Sequence, residues 1–143
     1  MKKILIGITF ILVLGGCGFL EDVNNSLDYT KEATEHINTL TDFAKEAPQM
    51  IEDAANDPAA KEQLESHLNT LQEEIEGFNT VDAPAMVEDI HNNLVNKNEE
   101  ILNEINKLVE DGQLTIEKIE NAEIFQTINE VQDLMKQIED LGL

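Results

Sequence analysis

The sequence predicts an all-α protein: an antiparallel helical bundle of about four helical segments, the first kinked near Pro48, preceded by a cleaved N-terminal signal. Three observations carry this reading. Apolar residues recur three and four apart along most of the chain, as in Leu64, Leu68, Leu71, Ile75 and Phe78, the spacing that gathers them on one helix face. Strand signals are scarce, with one Tyr, no Trp and no alternating β-branched run. The breaks between segments are short, which favours antiparallel neighbours. A long helical hairpin that completes its core by dimerising is the alternative architecture.

The N-terminal stretch comes first. Lys2 and Lys3 precede a mostly apolar run over residues 4–14, followed by Gly15, Gly16 and the single cysteine, Cys17. The run is too short to span a bilayer, which takes about 20 residues, and has the length and flanking charge of a signal-peptide core. An uncleaved anchor helix with an incidental cysteine is the plainer alternative. The two small residues directly before the lone thiol resemble a bacterial lipoprotein signal with its lipobox. That resemblance implies a signal peptide over 1–16 and an acidic helical-bundle domain over 17–143. It also implies lipid attachment at Cys17: a diacylglyceryl group with palmitate-type chains on the sulfur. Each buried methylene contributes about 0.8 kcal/mol, so two long chains anchor firmly. With Cys17 used in this way, no thiol remains for a disulfide. Gly18 leaves the lipidated end open, and Phe19 and Leu20 are expected to dip into the bilayer.

The helical segments follow in order. The first region, about 20–56, places Val23, Leu27, Ile37, Leu40 and Ala44 near one face, interrupted by Thr30, Thr34 and Thr41. Asn24, Asn25 and Ser26 can delay its start to Leu27. Pro48 removes a helical amide, so a kink or a new helix is expected there. Asp57 and Pro58 then start the second helix, an acceptor for free amides followed by a residue suited to the first helical position. Gly77 with Asn79 and Thr80 ends it. The third segment is expected over 83–111, capped by Asp82, with Pro84 in its first turn. Its stripe is Val87, Ile90, Leu94, Asn98, Ile101, Ile105 and Leu108. Asn98 in an apolar register can fix alignment at a cost in stability; the preferred reading places it at the wet edge of a drifting stripe. Asp111-Gly112 is a helix stop. The last region, 115–141, opens with a short turn around Ile116 and Ile119. It continues as a stripe of Ile124, Ile128, Val131, Met135 and Ile138.

Charge excludes some partners. The chain has 9 basic residues, all lysine, against 30 acidic ones, a net charge of −21. Nucleic acid, which needs basic clusters, is not a partner of such a surface. Anionic headgroups repel it. Solvation of helix faces accounts for most of the acidity; attraction of a basic partner or of divalent cations is the other reading.

No catalytic, cofactor-binding or metal-binding residue emerges. Glu88 and His91 have the Glu-x-x-His spacing of carboxylate-bridged di-metal bundles, but that site needs a second copy. Ala33 and Leu64, three residues before His36 and His67, cannot be ligands. His91 therefore reads as a boundary residue beside a core Ile, and His36, one turn after Glu32, as half of a helix-surface pair. Glu110-Asp111-Gly112 lacks the spaced oxygens of a calcium loop. Neither Ser26 nor Ser66 lies in a nucleophile elbow. The expectation is that this is not an enzyme.

Several segments together carry a wider resemblance. They are Phe19-Leu20-Glu21-Asp22-Val23-Asn24-Asn25-Ser26-Leu27-Asp28-Tyr29, Ala33-Thr34-Glu35-His36-Ile37, Glu46-Ala47-Pro48-Gln49, Ala83-Pro84-Ala85, Glu88-Asp89-Ile90-His91, Phe125-Gln126-Thr127-Ile128-Asn129 and Leu141-Gly142-Leu143. The chain resembles, over its whole length, a family of small acidic lipoproteins from Gram-positive, Bacillus-type bacteria, classed as a domain of unknown function. The resemblance implies a lipoprotein on the outer face of the cytoplasmic membrane and brings no activity, substrate or catalytic residue.

The leading functional expectation is a non-catalytic interaction module, tethered through lipid on Cys17 and contacting an envelope protein through the polar face of Thr34 and Thr41. Self-association into a homo-oligomer is a further partner class. The alternative is a small-ligand or lipid-binding protein that uses the bundle core, and a third reading is an acidic cation buffer.

Overall fold

The computed structural model describes residues 17–110, 113–120 and 122–140, with side chains from residue 24 onward except those of Glu110 and Glu120. The signal segment 1–16 and the Phe19 and Leu20 side chains lie outside the described residues.

The first helix, α1 (Cys17–Asn56), is a single element. It begins earlier than Leu27 and runs through Pro48, so no new helix starts there. Pro48 is exposed; its ring removes the amide that would otherwise bond one turn back, at Ala44. The buried face of α1 is Tyr29, Ala33, Ile37, Leu40, Phe43, Ala47, Ile51 and Ala54. This corrects the predicted stripe at both ends: Ala44 is only half-buried, and the Val23 side chain lies outside those described. Leu27 is 42% exposed, because Ser26 and Tyr29, flanking it, occupy the inward positions.

The turn into α2 (Pro58–Phe78) matches its sequence signals. Asp57 has extended backbone and its side chain accepts from the Ala59 amide at 2.9 Å, with Pro58 at the first helical position. All five residues of the predicted stripe, Leu64 to Phe78, are buried. The helix ends at Asn79, whose amide returns to the carbonyls of Ile75 and Gly77.

The third helix, α3 (Glu88–Leu108), starts later and ends sooner than predicted. Pro84 is not in its first turn. It belongs to a separate turn in which its carbonyl accepts from the Val87 amide at 2.9 Å. Val87 then stands at the N-cap with no side-chain cap, so Asp82 does not cap this helix; Glu88 and Asp89 supply negative charge to the first turn instead.

After Leu108 the chain does something the sequence reading missed. Strands β1 (Val109–Glu110) and β2 (Gln113–Leu114) pair antiparallel, Val109 with Leu114 and Glu110 with Gln113. Asp111 and Gly112, read as a helix stop, lie outside the described residues; as a sequence, Asp-Gly is also favoured between hairpin strands. The hairpin is held to α2 by Glu65, whose carboxylate accepts from the Leu114 amide at 3.0 Å. Helix α4 (Ile116–Glu120) is the expected short turn. Helix α5 (Ile124–Asp140) buries Ile124, Thr127, Ile128, Val131, Leu134 and Ile138, with Leu134 inward and Met135 half-buried.

The four long helices form the bundle. Helix α1 packs on α2 and α5, and α3 packs on the same two. Helices α1 and α3 therefore occupy one diagonal, and α2 and α5 the other. One apolar cluster, from Tyr29 to Ile138, fills the space between them. Lys97 on α3 closes one seam, reaching Glu100 at 2.8 Å and Glu130 of α5 at 2.7 Å.

Candidate functional site

Two polar rungs cross the bundle between α1 and α3. In the first, the Tyr29 hydroxyl and His91 Nδ1 are 3.1 Å apart. In the second, His36 Nε2 donates to Asn98 Oδ1 at 2.9 Å, and Asn98 Nδ2 donates to Asn79 Oδ1 at 2.7 Å. Tyr29 and His36 are seven apart on α1, as are His91 and Asn98 on α3. The rungs therefore sit one heptad apart on two helices that run the same way. Phe78 lies between them. It stacks on His36 with ring centroids 4.2 Å apart and an interplanar angle of 5°, and is tilted against His91 at 5.6 Å and Tyr29 at 6.3 Å.

These groups are buried, and burial sets their charge. His36 and His91 are each 8% exposed and Asn98 is fully buried. Burial holds both imidazoles below the ordinary histidine range, opposed at His36 by the bond to Asn98. The Tyr29 hydroxyl is pushed up, first by burial and then by the nearby Glu32 carboxylate. At neutral pH every member of the rungs is uncharged. Among the described residues no buried side-chain nitrogen or oxygen lacks a hydrogen-bond partner. Such a satisfied network fixes the rotation and axial alignment of helices more than it adds stability.

An accessible concave surface lies beside the rungs, between α1 and α2. A cleft of about 320 Å³ is floored by Phe43, Met50 and Leu71 and lined by Asp42, Glu46 and Glu74. A second hollow, sharing Thr39 and Glu74 with the first, continues past His36, Gly77 and Phe78 to Glu32 and Glu35. The residues α1 contributes fall at every third or fourth position from Glu32 to Met50, so one ribbon of the helix forms one wall. Among the described residues, no three His, Cys, Asp or Glu side chains converge as a metal site. The carboxylates are strung along the cleft rather than gathered at a point.

Residues 29–141 match the family described as "Family of unknown function (DUF6376)". The chain belongs to this family. Among known proteins, the DUF6376 chain is similar to the "Uncharacterized lipoprotein YybP" of Bacillus subtilis (strain 168), 36% identical over 135 residues, covering 92% of this chain and 91% of the relative. No solved structure matches it. The family agrees with the resemblance read from the sequence. The matched segment of this DUF6376 member opens at Tyr29, the first rung, and contains both rungs and the whole cleft.

Several sequence-predicted site residues change place. Cys17 opens α1, and its side chain lies outside those described. Glu88 is exposed in the first turn of α3 while His91 turns inward to Tyr29. His36 is not a surface partner of Glu32: it is buried against Phe78 and Asn98. Asn98 is not at a wet edge but at the bundle centre. The predicted Thr contact face is engaged internally at Thr41, whose hydroxyl accepts from Gln132 Nε2 of α5 at 3.2 Å. A repeated seven-residue spacing of polar aromatic and amide residues on two helices was the signal available for the rungs. The cleft had none, because its two walls come from different helices. Among the described residues, no helix is long and apolar enough to cross a membrane.

Proposed function

We propose that this protein is a lipoprotein held by lipid on Cys17 at the outer face of the cytoplasmic membrane, where its bundle serves as a non-catalytic interaction module for an envelope protein. The observation that carries the reading is the continuity of α1 from Cys17 to Asn56. The predicted lipid site and a wall of the accessible cleft belong to one rod. From Cys17 to Tyr29, the first rung residue, the helix rises about 18 Å. An anchor at Cys17 therefore holds the cleft at a set height above the bilayer. The lipoprotein relative in Bacillus subtilis supports the anchor, and the neutral, fully bonded rungs favour a rigid scaffold over a reaction centre.

In-cell photo-crosslinking tests the module, with crosslinkers on each exposed helix face and a Cys17→Ala control. The expected result is an envelope protein captured from the intact protein and lost when Cys17 is replaced. No protein captured from any face overturns the reading. Mass spectrometry of the membrane-bound N-terminal peptide tests the anchor: an unmodified Cys17 thiol overturns it.

A further inference from the structure

We propose that the cleft between α1 and α2 is the docking site for a cationic amphipathic helix of a partner protein. The proposal rests on reading the protein as an interaction module and adds the chemistry of the partner.

The shape comes first. The α1 wall runs from Glu32 to Met50, 18 helical steps and so about 27 Å. That is the length of five turns of a guest helix. The floor is apolar, made of the outer edges of the buried Phe43, Leu71 and Phe78 together with the half-buried Met50. Helix-in-groove recognition uses such a floor to take side chains spaced three and four apart.

Gly77 widens one end. A Cβ built there meets nothing within 4 Å, so the cleft is open space at that point and not packed core.

The charge then selects the guest. Five carboxylates line the two hollows, Glu32, Glu35, Asp42, Glu46 and Glu74, and no lysine does. Lys31 pairs with Glu35 at 3.9 Å and Lys45 with Asp42 at 3.0 Å. Glu32, Glu46 and Glu74 have no ion pair among the described residues. Carboxylates that fail to converge on one point do not suit a single cation. A row of them along apolar floor suits separate lysines or arginines flanking a hydrophobic stripe. A second copy of this chain is disfavoured as the occupant, since each carries a net charge of −21.

The test uses the full lipidated chain in uncharged detergent micelles, with empty micelles as the blank. The probe is a labelled Leu/Lys peptide of about 18 residues, long enough to span the α1 wall, with leucines at i, i+3, i+4 and i+7; a scrambled peptide of the same composition is its control. Fluorescence anisotropy gives Kd.

Glu46→Lys with Glu74→Lys is expected to weaken binding at least about tenfold, and the same charge change at Glu99 and Glu139, on α3 and α5, less than about twofold. Gly77→Trp fills the open end without changing charge and is expected to weaken binding at least about threefold. Equal effects of the two charge pairs, or equal binding of helical and scrambled peptides, assign the affinity to net charge and overturn the proposal. Crosslinkers at Thr39 and Thr70, inside the cleft, separate the two readings. A partner captured in cells only from other faces overturns the cleft and leaves the module standing, whereas no protein captured from any face overturns the module.

Discussion

At the scale of single residues, the protein is defined by what it buries. Two histidines, a tyrosine and an asparagine occupy positions where a simpler bundle would carry leucine, and each finds a partner. The cost appears on acidification. His36 and His91 have folded-state values below the ordinary histidine range, so as pH falls the unfolded chain takes up protons first. Above about pH 7 both states are neutral and the histidines give no pH dependence. Below about pH 6.5 stability is lost until the folded state also protonates. Thermal melts between pH 7.5 and 5.5 are expected to show Tm falling through this window, and His36→Gln with His91→Gln to flatten the fall. A fall of the same size in the double variant assigns it to other groups. The second residue-scale prediction concerns Asn98. Asn98→Ala leaves the buried His36 and the half-buried Asn79 without their partner and is expected to cost about 2–3 kcal/mol in urea unfolding, the range for stranding buried polar groups. Asn98→Leu with His36→Leu removes both ends of the bond and is expected to recover part of that loss. Recovery in stability with a broader, less cooperative transition marks the rung as a register device.

Among elements, α2 was legible because its determinants are local. The Asp57-Pro58 start and the Gly77 region each act within about one turn of chain, and the Leu64-to-Phe78 stripe repeats from one turn to the next. Opposite substitutions on this helix test that reading by urea denaturation. Asp57→Ala removes the bond to the Ala59 amide and is expected to cost about 1 kcal/mol. Gly77→Ala, whose methyl meets no neighbour within 4 Å, is expected to gain about 0.5–1 kcal/mol from lost backbone freedom in the unfolded chain. Where the determinants are distant, the reading failed. His36 and Asn98 are 62 residues apart, and nothing beside either one announces the other. The α3 start was placed too early because Asp82 and Pro84 carry a cap-and-proline signal that a separate turn uses as well. The β1–β2 pairing went unseen because strands of two residues each are too short for alternation to register. Leu27 is misplaced because period alone does not say where a helix face is centred; Ser26 and Tyr29 are the buried positions there, and Tyr29 is bonded across to His91.

For the whole molecule, acidity is the governing property. A net charge of −21 on 143 residues sets carboxylates against one another over the surface, and the few lysines neutralise only neighbours, as Lys97 does between α3 and α5. Repulsion of this kind destabilises the folded state more than the unfolded one, because folding brings the charges closer. Screening should therefore stabilise the fold. Raising sodium chloride from about 10 to 150 mM shortens the screening length from about 30 to 8 Å, and Tm is expected to rise across that range. The identity of the cation separates general screening from binding. Because no acidic cluster among the described residues converges on a point, magnesium, calcium and sodium chlorides at matched ionic strength are expected to give the same rise. An extra increase with calcium or magnesium, saturating at low millimolar concentration, requires a bound ion and would return the cation-buffer reading to the front. Equal curves leave the carboxylates as a diffuse field. Such a field repels anionic lipid, holds copies of the bundle apart and attracts a basic helix to the apolar-floored cleft along which five carboxylates are strung.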